Sequence, residues 1–282
     1  MSQADDVPLE VVRTDDDVVI ATLRNGKVNA LSNRVLDAVA DAAAEWAQDP
    51  PGAVVLTGGP KLFAAGADID QFVAAAGDES GENDARSSGA DTLVDGDAVR
   101  AIARSFRRAG QALESLGCPV IAEVSGYALG GGCELALACH FRYMADNPKA
   151  AIGCPEINLG IIPGWGGTQR MTRLLGRTKA LDLMLNARRL APQEALAIGL
   201  VEAVYAPDQL MPRVMETATS LSGRAPLSAK AIVSAATAFL YKGIEEGLKV
   251  EAAGSKVCAS SKDAIEGFTA FMQKRKPEFK GE

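Results

Sequence analysis

The sequence predicts an α/β protein, with a largely parallel sheet covered by helices and continued into a helical C-terminal region. Three observations carry this. Short apolar runs alternate with helical periodicity over residues 9–145, and repeated strand–helix–strand units imply parallel pairing. From Gly167 onward the pattern is helical almost throughout. The 282 residues, 48% hydrophobic and 23% charged, suffice for one large core with an appended helical piece. The expected division is a core over residues 1–205 and a helical region over residues 206–282.

The elements follow in order. Residues 9–12 and 18–23 flank Thr14-Asp15-Asp16-Asp17 and read as a β-hairpin. Val35, Val39, Ala42 or Ala43, and Trp46 keep a helical period, with Ser32 or Asn33 as N-cap. Residues 53–56 read as a buried strand ended by Gly58-Gly59-Pro60. FAAGADI, residues 63–69, is a glycine-containing loop. Residues 77–97 carry Asp78, Glu79, Glu82, Asp84, Asp91, Asp95 and Asp97 against Arg86, and read as an acidic insert. Val99, Ile102, Phe106, Ala109, Leu113 and Leu116 trace a long amphipathic helix whose outer face bears Arg100, Arg104, Arg107 and Arg108. Strands are expected at residues 119–124 and 141–145. Gly176, Gly199, Gly223 and Gly243 are the expected helix breaks, with helices at 227–240, 244–257 and 264–272.

Composition excludes several functions. The net charge is −7 with a sequence pI near 5.0, a poor background for binding nucleic acid or anionic membrane. The opening MSQADDVPLE has neither a basic nor an apolar leader pattern. No apolar run reaches the ~18 residues of a membrane span. The five cysteines are scattered without a CxxC pair, which suits reduced thiols in a cytoplasmic protein. His140 is the one histidine, which removes a His-rich zinc site and leaves any histidine-based triad dependent on it.

The chemistry gathers in two stretches. In GYALGGGCELALACH, residues 126–140, Gly130, Gly131 and Gly132 stand between a strand and a helix that carries Glu134 in its first turn. Glycines there permit close backbone approach, and free amides at a helix start attract developing negative charge. The turn reads as half an oxyanion hole beside an acid or base, with tight packing or a phosphate cradle as the bland alternatives. It matches neither the GxxxxGK[ST] nor the GxGxxG pattern. In CPEINLGIIPGWGGTQR, residues 154–170, Glu156 lies among apolar residues ahead of a turn through Pro163, Gly164, Trp165, Gly166 and Gly167. A desolvated carboxyl there would be harder to ionise, and two carboxyls in one dry site can divide acid and base work.

FAAGADI, GYALGGGCELA, PEINLGIIPGWGGTQR and the terminal AFMQKRKPEF together resemble the enoyl-CoA hydratase/isomerase (crotonase) superfamily. The resemblance implies a crotonase-like spiral of ββα units with a C-terminal helical trimerisation region. It further implies a homotrimer or homohexamer and an acyl-CoA substrate with no separate cofactor or metal. By motif, Ala67 and Gly131 supply the oxyanion amides. Glu134 falls on the main base and Glu156 on the acid of a hydratase. Lys27, Ala65, Asp68, Ile69, Trp165, Phe271 and Lys274 fall on substrate-binding positions. Asp70, where relatives often have lysine, and His140, where they have an acidic residue, are departures. The implied reaction is syn hydration of a trans-2-enoyl-CoA to a 3-hydroxyacyl-CoA. Isomerisation, hydration of a cyclic or branched acyl group, and RNA binding through the arginine face are the alternatives.

Overall fold

The protein is described by a computed structural model over residues 7–68 and 96–282. Ile69, Asp70 and the acidic insert up to Asp95 lie outside the described residues.

The predicted hairpin is β1, Leu9–Arg13, antiparallel to β2, Val18–Leu23. Ser32 is the N-cap of α1, Asn33–Gln48, its hydroxyl accepting from the Val35 amide. The buried face of α1 is Val35, Leu36, Val39, Ala40, Ala43 and Trp46, the stripe the sequence period marks. The next elements are β3, Ala53–Thr57, then α2, Gly96–Glu114, and β4, Val120–Val124. Strands β3 and β4 are buried along their whole length, as runs of AVVLT and VIAEV must be when helices cover both faces. The chain continues through β5, Tyr127–Leu129, α3, Gly131–Leu137, β6, Phe141–Ala145, and β7, Ala151–Gly153. A single 3₁₀ turn follows, Glu156–Leu159. Then come α4, Gly167–Leu175, α5, Arg177–Leu185, α6, Pro192–Ile198, and β8, Ala203–Tyr205. The last helices are α7, Pro207–Ser222, α8, Pro226–Lys242, α9, Ile244–Ala259, and α10, Lys262–Gln273. Gly176, Gly199, Gly223 and Gly243 each stand at a helix end, as expected.

The main sheet runs β1-β2-β3-β4-β6-β8, parallel except for the first pair. Its larger core packs α1 and α2 against one face. On the other face Leu210, Val214 and Ala218 of α7 meet Val18, Val55 and Ile121, so this helix belongs to the sheet although it lies beyond residue 205. Two features depart from the sequence reading. Strand β8 adds to the sheet edge within a stretch that reads as helical, because AVY is too short to display a period of two. A second sheet pairs β5 with β7 in parallel, again from three-residue strands.

Candidate active site

The small sheet assembles the site. Gly130, directly after β5, donates its N–H to the carbonyl of Gly153 at the end of β7, at 2.9 Å. Cys154 and Pro155 then bring Glu156 beside the same turn, and a Cβ on Gly130 would lie 3.3 Å from Glu156 Oε1. Glu134 sits one helical turn into α3. The two glutamates, 22 positions apart in sequence, therefore face one glycine turn.

Each of the three glycines has its own cause. Gly130 has φ +55°, ψ −126°, a conformation open essentially to glycine alone. At Gly131 a Cβ would meet the Trp165 ring at 2.3 Å, and at Gly132 it would meet the Ala64 carbonyl at 2.2 Å. The start of α3 is thereby pressed against residues 64–66. Those residues are bridged to both neighbours, Ala64 to Ala128 and Ala67 to Leu31. The second bridge uses the Gly66 carbonyl, 2.8 Å from the Leu31 amide, and the Asp68 amide, 3.2 Å from the Leu31 carbonyl. Parallel pairing of that kind turns the Ala67 amide the other way. Among the described residues no backbone acceptor engages the amides of Ala67 or Gly131.

The carboxyls differ in their partners. Glu134 Oε1 accepts from the amides of Trp165 at 2.8 Å and Gly167 at 2.7 Å. Both amides thus hold one oxygen, and Oε2 is left for chemistry. Burial pushes this carboxyl up to about 7; the Gly167 amide opposes that, Glu156 adds to it, and the Trp165 amide and the Arg170 guanidinium oppose it. Glu156 is buried too, and burial raises it, with its own amide pulling the other way. Its Oε2 is buried with no hydrogen-bond partner. Two amides favour a charge on Glu134 and none reaches Glu156 Oε2, while the deeper burial of Glu134, 1% exposed against 9%, opposes that charge.

The remaining predicted residues fall into three groups. Lys27 and Ala65 are exposed, and the Ala65 amide donates to the carbonyl of Val28, next to Lys27 in sequence, at 3.1 Å; Asp68 is half-buried. Trp165 is buried and stacked on Phe106, ring centroids 3.5 Å apart. Phe271 and Lys274 are exposed at the end of α10, a helix that packs on α9. His140 is structural: its Nδ1 accepts from the Val120 amide at 2.9 Å, and burial lowers its pKa. On the arginine face, Arg108 is paired with Asp41 and, at 3.6 Å, with Asp37. The sequence reading passed over Arg170, Glu114 and Phe106. Arg170 stood in plain view at the end of the GGTQR motif, a cation after an apolar loop.

Residues 13–282 match the family model described as enoyl-CoA hydratase/isomerase. A probable enoyl-CoA hydratase of Mycobacterium tuberculosis is 38% identical over 271 residues, covering 95% of this chain and 96% of that protein. A crotonyl-CoA hydratase of Syntrophomonas wolfei is 37% identical over 258 residues, 89% of this chain and 90% of the other. The crystal structure of an enoyl-CoA hydratase from Bacillus anthracis superposes with a TM-score of 0.84 at 33% identity, over 98% of this chain and all of that one.

Proposed function

The chain belongs to the enoyl-CoA hydratase/isomerase family, and from that premise we propose that it adds water across a trans-2-enoyl-CoA to give a 3-hydroxyacyl-CoA. One observation carries the reading: two buried carboxyls with different hydrogen-bond partners face one glycine turn, where the Gly131 amide, like that of Ala67, meets no backbone acceptor among the described residues. A double-bond shift moves a proton between two carbons and needs one such group; addition of water uses both.

Glu134, ionised, takes a proton from water while the water oxygen bonds to C3. The C2–C3 electron pair moves into the thioester, and the oxygen that gains charge is held by the amides of Ala67 and Gly131. Each such donor supplies about 3 kcal/mol to the transition state. Glu156 then gives its proton to C2, and proton exchange with solvent resets the pair. Only water and the acyl-CoA are consumed, so the reaction calls for no metal or redox cofactor. Trp165 and Phe106 wall the acyl side of Gly131, and Lys27 stands on the CoA side. The same reading makes the enzyme a cytoplasmic homotrimer or homohexamer, with Phe271 and Lys274 delivered to a neighbour's substrate.

The test is hydration of crotonyl-CoA, followed by loss of the conjugated enoyl absorbance. Glu134→Gln and Glu156→Gln should each lower kcat by roughly 10²–10⁴, the range for general acid–base groups. Full activity in either folded variant removes that residue from the mechanism.

A further inference from the structure

The guanidinium of Arg170 occupies a built socket. Arg170 is buried, and two glycines make room for it: a Cβ on Gly166 would lie 2.2 Å from Nη1, and one on Gly110 of α2 would lie 2.7 Å from Nη2. From that socket Nη1 donates to the Trp165 carbonyl at 3.0 Å. Nη2 pairs with Glu114 Oε2 at 2.6 Å, at the end of α2. The same Glu114 oxygen accepts from the Tyr241 hydroxyl of α8, and the Glu114 carbonyl accepts from Thr237 at 3.1 Å.

The choice of carbonyl matters. The peptide that Arg170 grips joins Trp165 to Gly166. It lies between the two peptides whose N–H groups, on Trp165 and Gly167, hold Glu134 Oε1. Fixing the middle peptide fixes the direction of both donors. Gly166 has φ +110°, so this segment needs such an external anchor to keep one conformation.

We propose that Arg170 is a positioning residue for Glu134, anchored by Glu114, that aims the Trp165 and Gly167 amides and thereby keeps the carboxylate ionised and oriented toward its water. The proposal rests on the reading of Glu134 as the base. Charged groups facing Glu134 are Glu156 from the 3₁₀ turn and Arg170 from α4. The nearby Cys154 thiol is neutral, raised by its contact with Cys133 and by burial. Removing Arg170 takes away the one cation of this set, so the Glu134 carboxyl should titrate at higher pH.

Two variants separate geometry from charge. Arg170→Gln removes both. Arg170→Lys keeps the charge, but one ammonium cannot span the Trp165 carbonyl and Glu114 as a planar fork does. In Arg170→Gln, kcat for crotonyl-CoA should fall about 10–100-fold with KM changed less than about threefold, since misplacement of an angstrom has that cost. The acidic limb of its kcat profile should move to higher pH. In Arg170→Lys, kcat should be intermediate and the limb near that of the wild type. A second readout does not depend on turnover: the infrared carboxyl band that titrates in wild type and vanishes in Glu134→Gln. It should move to higher pH in Arg170→Gln. An unmoved band in folded Arg170→Gln overturns the proposal. If that variant does not fold, wild-type kcat in Arg170→Lys overturns it. A wild type inert toward enoyl-CoA esters whose band nevertheless moves in Arg170→Gln overturns only the hydratase reading.

Discussion

A buried carboxyl has two separable consequences, one for rate and one for stability. Glu123, on β4, is buried and accepts from the Thr57 hydroxyl; burial pushes it up to about 7 against that bond. Its folded value exceeds the ordinary 4.5, so the folded state holds the proton longer as pH rises. The stability it contributes is fully present below the unfolded value and is lost as pH climbs through about 7. Glu123→Gln mimics the protonated form at every pH. Its Tm should match the wild type at pH 5 and exceed it at pH 8 by on the order of 5 °C; calorimetry showing no difference at pH 8 rejects the buried ionisation. Glu134→Gln obeys the same sign, so it should combine lost turnover with undiminished Tm at pH 8, as a residue kept for function at a cost in stability does. Glu134 was legible in the sequence because a lone carboxylate stood in an apolar helix after three glycines. Glu123 was not, because VIAEV reads simply as a strand. Nor was Arg170, whose meaning lies in a carbonyl five residues back and in a carboxylate on another helix.

Elements were legible in proportion to their length and punctuation. Helix α1 has a capping serine and a clean apolar stripe, and Gly176, Gly199 and Gly243 end helices at a positive φ that other residues resist. The three-residue strands β5, β7 and β8 have no period to read, and their pairing is decided by distant partners. That matters for function, since the β5–β7 pair is what sets Glu156 beside Gly130. The packing of α3 on the segment after Phe63 is equally invisible in composition, yet it makes a sharp prediction. In Gly132→Ala the new methyl would fall 2.2 Å from the Ala64 carbonyl, a backbone atom that cannot swing aside. The helix must back away from the Ala67 amide, at an overpacking cost of about 1–3 kcal/mol. Chemical denaturation should register that loss, and kcat should fall by more than tenfold if, as proposed, the two amides share one oxygen. Wild-type kcat in this variant would mean that the two amides do not share an oxygen.

At the scale of the molecule, the core is closed while the last three helices are not. Helix α8, PLSAKAIVSAATAFLYK, has no buried residue. Ile232 on it is 69% exposed, and Ile265, Phe268 and Phe271 on α10 are 68%, 75% and 80% exposed. An apolar surface of that extent on one chain suits the proposed assembly. The chain as a whole carries a net charge of −7, which opposes indiscriminate association. Among the contacts of α8 with the core, Thr237 and Tyr241 reach Glu114, and Arg173 lies 4.5 Å over the Tyr241 ring. A neighbour covering α8–α10 would therefore press on the same Glu114 that anchors Arg170. Light scattering should give a mass three or six times the 29.3 kDa chain. Ile232→Glu, which places a charge in the centre of the face, should shift the species toward 29.3 kDa. Its kcat should drop with that shift, because Phe271 and Lys274 lose the neighbouring substrate they are proposed to touch. A monomeric wild type with full hydratase activity would dismiss the assembly and, with it, any catalytic part for those two residues.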